Sequence, residues 1–285
     1  MTTTGRVGVK ATIAEALRLG AGRLAGIADN PRLEARLLLG HALGLSTADL
    51  IRDADRPIDP APFDALVAQR AAHVPLAYLT GHREFWSLDL AVTPATLIPR
   101  PDSETIVDVA LRAAPDPRLV LDLGTGSGCL LVAVLHERPA AFGVGIDRSP
   151  NALTVARQNA AACGLASRTA FVQSDWGEAL GGRFDLILSN PPYIPARDIP
   201  SLMPEVALHE PLYALDGGTD GLDAYRRIIP SLRALLVPGG LAVLEIGIGQ
   251  QDAVLELGRA EGFKATAHPD LGGILRAILL RRSGA

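Results

Sequence analysis

The stretch from Arg118 to Asp147, "RLVLDLGTGSGCLLVAVLHERPAAFGVGID", decides the fold. An apolar strand-like run at 118–124 ends in Gly124, Gly126 and Gly128. An apolar helix-like segment follows at 128–137, and a second strand-like run occupies 141–147. This is the pattern of a strand–helix–strand unit. The three glycines permit positive φ and let the backbone close on a ligand at the start of a helix. Nineteen residues after Gly128, Asp147 ends the second strand, where a carboxylate can accept hydrogen bonds from a ribose diol.

A dinucleotide loop needs the spacing GxGxxG, with the helix start turned to a pyrophosphate. Here the run is GxGxG preceded by Asp122, a spacing that resembles the S-adenosylmethionine loop, in which no pyrophosphate is cradled. Outward from this unit the alternation continues. "TAFVQSD" (169–175), "FDLILSN" (184–190) and "GGLAVLEIG" (239–247) are strand-like, with helical stretches at 150–163 and 222–236. "FKATAHPD" and "ILRAILLRR" supply a final strand pair. The pattern predicts an α/β fold, a doubly wound and mostly parallel seven-stranded sheet that binds ligands beyond the strand carboxyl ends. Trp176, at the end of the third strand, reads either as a residue that stacks on an adenine or as an aromatic plugging the edge of the core.

The fourth strand stops at "SNPPYIP", residues 189–195. Two adjacent prolines donate no N–H and cannot continue a strand. With a methyl donor in the crevice, the turn makes chemical sense. An amide nitrogen is a poor nucleophile because its lone pair is delocalised. Two acceptors, the Asn190 side-chain oxygen and the Pro191 carbonyl, would take its two N–H bonds and aim the lone pair at the methyl group. Tyr193 would offer a flat wall. Positioning is then the main lever, and alignment of reactants can be worth ~7–11 kcal/mol.

The chain has 285 residues, is 48% hydrophobic and 20% charged, and carries a net charge of −4. Lysine occurs only at Lys10 and Lys264, and no segment forms a basic tract, which argues against duplex nucleic acid as a partner. No uncharged apolar run approaches the ~18 residues of a membrane span, and "MTTTGRVGVK" lacks the apolar core of a leader. The two cysteines and six histidines show no metal-ligand spacing, so no metal is expected and a reducing, cytoplasmic setting is the default. Residues 1–85 read as a small helical domain. Thr12 with Glu15 forms a capping-box pattern, and Asn30-Pro31 opens a helix with Leu33, Leu37, Leu38 and His41 or Ala42 on one face. A further helix covers roughly 61–73, with Phe63, Leu66, Val67 and Arg70. Residues 86–104 read as a linker with a short β-hairpin, and 105–285 as the catalytic domain.

"PLAYLTGHREFWSLDLAVTPATLIPRPDSE" (75–104), taken with "LDLGTGSG", "GID", "SDW" and "SNPPYIP", resembles the HemK/PrmC family. The resemblance extends to "NPRLEARLLLGHALGL" and "HEPLYALDGGTDGLDAYRRII", and so covers nearly the whole chain. It implies an S-adenosylmethionine-dependent methyltransferase acting on the side-chain nitrogen (N5) of glutamine in peptide chain release factors, with S-adenosylhomocysteine as product. It implies cofactor residues Gly124, Thr125, Gly126, Ser127, Gly128, Asp147, Trp176 and Asn190. It implies a substrate-amide site at Asn190, Pro191, Pro192 and Tyr193, with Asn190, Pro191 and Tyr193 catalytic. The family's target is a Gly-Gly-Gln tripeptide, whose glycines let a loop enter a narrow site. The helical domain would dock the protein substrate. One departure is visible: Ile274-Leu275 stands where the family usually has a charged pair.

NPPY alone is shared with adenine-N6 methyltransferases, so a nucleic-acid amino methyltransferase acting on a flipped base is the alternative. A non-catalytic binding module and a nicotinamide dehydrogenase fit the intact glycine loop less well. Arg100 reads equally as a cleft residue or a structural ion pair, and Glu245 as a crevice residue or a satisfied buried acid. Cys129, at a helix start, reads as a small core residue.

Overall fold

The computed structural model describes residues 10–178 and 180–282; "MTTTGRVGV" lies outside them. The chain forms two compact units. The first comprises residues up to Gly81 together with Pro204–His209, and the second comprises His82–Met203 with the chain from Glu210 onward.

In the first unit, Thr12 caps the helix Ile13–Arg23 by accepting from the Glu15 backbone while Glu15 returns the bond, as the sequence predicts. Asn30 caps Pro31–Leu43, which ends at Gly44 in the left-handed conformation. The buried face of that helix is Ala35, Leu38 and Leu39, whereas Leu33 and Leu37 are 46% and 41% exposed. The leucine-rich run offers two candidate stripes, and the one containing the small Ala35 faces the core. The core gathers Ile13, Leu24, Leu38, Leu50, Phe63 and Val67. Arg70 is buried on the helix Ala61–Ala71, with Nε 2.7 Å from Glu34 and Nη2 2.9 Å from Glu205. Glu205 lies in the helix Pro204–His209, a segment remote in sequence that the reading of residues 1–85 could not assign to this unit.

The expected hairpin forms, but it spans His82–Phe85 and Leu88–Ala91 and so begins before residue 86. It is no linker: Phe85 and Leu90 are buried in the core of the second unit. Its two-residue turn holds Trp86 and Ser87 at φ 52 and 58 without a glycine. The Trp86 amide donates to Glu104 (2.9 Å), which fixes that unusual conformation.

The seven strands of the second unit are β1 (Leu119–Leu123), β2 (Phe142–Asp147), β3 (Thr169–Gln173), β4 (Phe184–Ser189), β5 (Leu236–Glu245), β6 (Phe263–Pro269) and β7 (Leu275–Arg282). Their spatial order is β6-β7-β5-β4-β1-β2-β3, parallel except for β7, which runs against both neighbours. Strand period divides the core between two faces. Val120, Leu186 and Val243 face a layer with Leu131 and Leu135, while Leu121, Ile187 and Ala242 face Tyr225, Ile228 and Leu232. Winding reverses between β1 and β4, so the crevice opens beyond their carboxyl ends. The glycine loop follows β1 and the Asn-Pro-Pro-Tyr turn follows β4.

Candidate active site

The glycine loop is built by mutual constraint. The Thr125 amide donates to Ile146 on β2 (2.7 Å) and the Gly126 amide to Asp147 Oδ2 (2.9 Å). Asp147 Oδ1 accepts from the Ser149 amide (2.8 Å), so the carboxylate is fixed with lone pairs left over. Burial raises the Asp147 carboxyl above its ordinary range, and the Ser149 and Gly126 amides oppose the shift. Gly126, at φ 54, would carry a Cβ into open space. Gly128 instead lets two helices close: its Cβ would lie 3.2 Å from that of Ala156. Asp122 is wholly buried, accepts from Thr125 Oγ1 (2.6 Å), and is pushed up to about 7, chiefly by desolvation.

These elements enclose a cleft of about 590 Å³. Gly124, Thr125, Gly126 and Ser127 form one wall, with Asp147 and Trp176 beside them. Asn190 and Pro192 line it from the β4 side. Gly128, Pro191 and Tyr193 are outside the lining: Gly128 packs on Ala156, Pro191 is buried, and Tyr193 is half-buried with its hydroxyl on Glu245 (3.2 Å). Trp176 holds a left-handed backbone (φ 54) and its indole lies over Gly124, where a Cβ would sit 3.5 Å away. A strained non-glycine residue at a cleft wall is a recurrent mark of a functional site.

Asn190 donates from Nδ2 to the Ser103 hydroxyl (3.1 Å). Among the described residues its Oδ1 takes part in no hydrogen bond, so the amide presents an acceptor. The turn behind it is closed by glycines. A Cβ on Gly217 would stand 2.8 Å from Tyr193 Cα, and one on Gly221 2.4 Å from the Tyr193 carbonyl oxygen. Gln250 Nε2 donates to that same carbonyl (2.9 Å) and to Gly221 (3.2 Å). The density of glycine in "LDGGTDGLD" was the available signal; nothing in the sequence pointed to Gln250.

Glu245 is buried at the end of β5. Desolvation pushes its carboxyl up to about 7; Ser103, Tyr193 and the Arg276 charge oppose the rise, and Asp102 adds to it. Among the described residues Glu245 Oε2 has no hydrogen-bond partner. Burial, the Glu245 charge and the bond to Glu245 raise the Tyr193 hydroxyl well above its ordinary value. Arg276 Nη2 lies 2.8 Å from Asp102. A cation therefore stands directly after Ile274-Leu275, and that departure leaves the site charged. Arg100 satisfies both readings at once: it lines the cleft and pairs with the buried Glu210, whose other oxygen accepts from the Ile98 amide (3.1 Å).

Other site residues were invisible in the sequence. Buried Asn159 donates from Nδ2 to Ser127 (2.8 Å) and Ala91 (3.0 Å) and accepts from the Ala91 amide (2.7 Å), tying the hairpin to the glycine loop. Asp175 pairs with Arg227 (2.6 Å), and Tyr213 lies under the Arg148 guanidinium with its hydroxyl on Ala95 (2.7 Å); all five line the cleft. Desolvation pushes the Cys129 thiol up to about 12, against any lowering at its helix start. Among the described residues no group of three or more His, Cys, Asp or Glu side chains is placed to hold a metal ion.

The residues present fit a nucleoside-bearing methyl donor: open space over Gly126, a fixed carboxylate at Asp147 and an indole face at Trp176, all on one cleft. With the strand order, they define a class I methyltransferase. Solved structures agree at the level of fold. A methyltransferase from Pyrococcus furiosus matches with a TM-score of 0.53 at 19% identity, covering 77% of this chain and 98% of its own. The hMettl16 catalytic domain, in complex with MAT2A 3'UTR hairpin 6, matches at 0.57 and 17% identity, covering 79% of this chain and 84% of its own. Residues 15–81 match the PrmC N-terminal domain family and 103–206 the methyltransferase small domain family. The release factor glutamine methyltransferase of Rhodospirillum rubrum is 46% identical, covering 93% of this chain and 84% of the relative. Those of Bradyrhizobium diazoefficiens and Cereibacter sphaeroides are each 47% identical, covering 89% of both chains and 95% and 99% respectively. The chain belongs to the release factor glutamine methyltransferase family.

Proposed function

We propose that this protein transfers a methyl group from S-adenosylmethionine to the side-chain amide nitrogen (N5) of the glutamine in the Gly-Gly-Gln motif of peptide chain release factors, in the cytoplasm. The observation that carries the reading is Asn190: its Nδ2 is engaged by Ser103 and its Oδ1 is left as an acceptor on the cleft wall. Asp147 would hold the ribose diol, Trp176 would cover the adenine, and the Gly124–Ser127 backbone would border the rest of the donor. When bound, the donor supplies an electrophilic sulfonium methyl.

The chain's own residues orient the nucleophile. Asn190 Oδ1 and the Pro191 carbonyl accept the two N–H bonds of the target amide, which turns the nitrogen lone pair toward the methyl. With the donor bound, the N–CH3 bond would form as the S–CH3 bond broke with its electron pair left on sulfur, and the nitrogen would shed a proton to solvent. No strong base is required. Carbonyl dipoles aimed at the nitrogen favour the positive charge that develops there. Tyr193 fixes the turn through Glu245 and Gln250. The first unit docks the protein substrate.

The test is to incubate the protein with labelled S-adenosylmethionine and purified release factor, then locate the label by peptide mass spectrometry. Label on the Gly-Gly-Gln glutamine is expected. Label on a different residue, or on nucleic acid supplied in competition, overturns the reading.

A further inference from the structure

Planar amides have two nearly isosteric orientations, and only one presents oxygen. An Asn190 flipped by 180° would offer an NH2 to the incoming amide, and two donors would then face each other. Something must choose the orientation. Ser103 is 2% exposed, sits just before the helix Glu104–Ala113, and lines the cleft with its hydroxyl 3.1 Å from Asn190 Nδ2. The segment holding it, "TPATLIPRPDSE", read as turns and linker in the sequence. Glu245 accepts from Tyr193 Oη (3.2 Å) at the back of the same turn.

We propose that Ser103 and Glu245 are positioning residues for methyl transfer, which hold the Asn190 amide with its oxygen toward the cleft and Tyr193 at the back of the turn. The inference rests on the amide-orienting role of Asn190 given above. Ser103 accepts from Asn190 Nδ2, so its lone pairs face Asn190 and its hydrogen points away from that amide. That polarity leaves the Nδ2 side of Asn190 the favoured partner of Ser103. Arg276, paired with Asp102, supplies the nearby cation that favours the ionised acid. Neither Ser103 nor Glu245 touches the reacting atoms; each acts through the Asn-Pro-Pro-Tyr turn.

The experiment is single-turnover and steady-state methylation of whole release factor by full-length variants, with cofactor affinity and melting temperature measured alongside. Ser103→Ala should lower kcat by about ten- to thirtyfold, the worth of one well-placed hydrogen bond, while KM and cofactor Kd stay within about threefold. Ser103→Thr, which restores the hydroxyl, should recover most of the rate. At pH 8, where Glu245 is ionised, Glu245→Gln should also be slow, since a neutral amide is a weaker acceptor for the Tyr193 hydroxyl, yet melt no lower than the wild type. A residue needed only for folding would show the opposite pattern. In an Asn190→Ala background, Ser103→Ala should cost nothing further. A wild-type kcat in Ser103→Ala, or an additive loss in the double variant, overturns the proposal. Should Asn190→Ala itself keep the wild-type rate, the parent reading fails; should Asn190→Ala be slow while Ser103→Ala is not, only this inference fails.

Discussion

At the scale of residues, three side chains carry separable burdens. Asn190 stands beyond a strand end, so its removal opens no core cavity. Asn190→Ala should lower single-turnover methylation on the order of 10²–10³, as for the loss of one preorganised hydrogen-bonding group elsewhere. A folded variant at wild-type rate would sink the amide-orienting mechanism. Asp147→Ala removes the anchor of the Gly126 amide and, on the proposed reading, the partner of the ribose diol. Calorimetry should show S-adenosylmethionine binding weakened by roughly 1.5–3 kcal/mol, and unchanged affinity would take Asp147 out of the site. Glu245 gives a pH signature. Its carboxyl, pushed up to about 7 by burial, keeps its proton in the folded state where the unfolded chain has already lost it. Stability therefore falls as pH rises from the ordinary glutamate value to about 7, and is flat above. Glu245→Gln removes that slope. Urea unfolding should show the variant gaining about 1–3 kcal/mol over the wild type at pH 8 and little at pH 5. An advantage independent of pH would refute the buried-acid account.

At the scale of elements, the sequence displayed what periodicity and turn chemistry can display. The strand–helix–strand unit, the glycine loop and the proline turn were legible because each rests on local constraints: apolar period, positive φ, missing N–H donors. The same logic survived one contrary signal. Pro230 lies inside the helix Asp223–Leu235, yet the buried stripe of Tyr225, Ile228, Ile229 and Leu232 keeps the segment helical. What stayed hidden were partners set by long-range closure. Asn159 reaches back to Ala91 and Ser127, and Gln250 to Tyr193, across separations that no local pattern encodes. The face of Pro31–Leu43 was misassigned for a related reason, since a run of leucines leaves the choice of stripe to the neighbouring helix. Gly217 tests the closure of the turn. Gly217→Ala would drive a Cβ to 2.8 Å from Gly221 Cα and Tyr193 Cα, backbone atoms that cannot step aside. Turnover should fall well before the fold is lost, measured as kcat against melting temperature. Wild-type kcat would mean the turn tolerates displacement, and with it the demand for fixed geometry would weaken.

At the scale of the whole molecule, the chain leaves the second unit after Met203, contributes Pro204–His209 to the first, and returns at Glu210. Arg70 fastens that excursion from within the first unit, bridging Glu34 and Glu205, with Nη1 buried and without a partner among the described residues. Burial opposes its charge, and the two carboxylates prevail and raise its pKa. Taking away the cation leaves two carboxylates facing each other, so Arg70→Met should destabilise the first unit by roughly 3–5 kcal/mol, the usual cost of breaking a buried pair. The second unit has its own core and holds the entire cleft, so the loss should stay local and appear as an early thermal transition distinct from the main one. This separates docking from chemistry without truncating the protein. Above the early transition and below the main one, cofactor affinity should hold within about twofold while methylation of whole release factor collapses through KM, since uniform binding energy is what a docking unit supplies. Circular dichroism identifies that temperature window, and the methylation assay is run inside it. Were whole release factor methylated there with unchanged kcat/KM, the helical unit would be a structural attachment, and recognition would belong to the cleft alone.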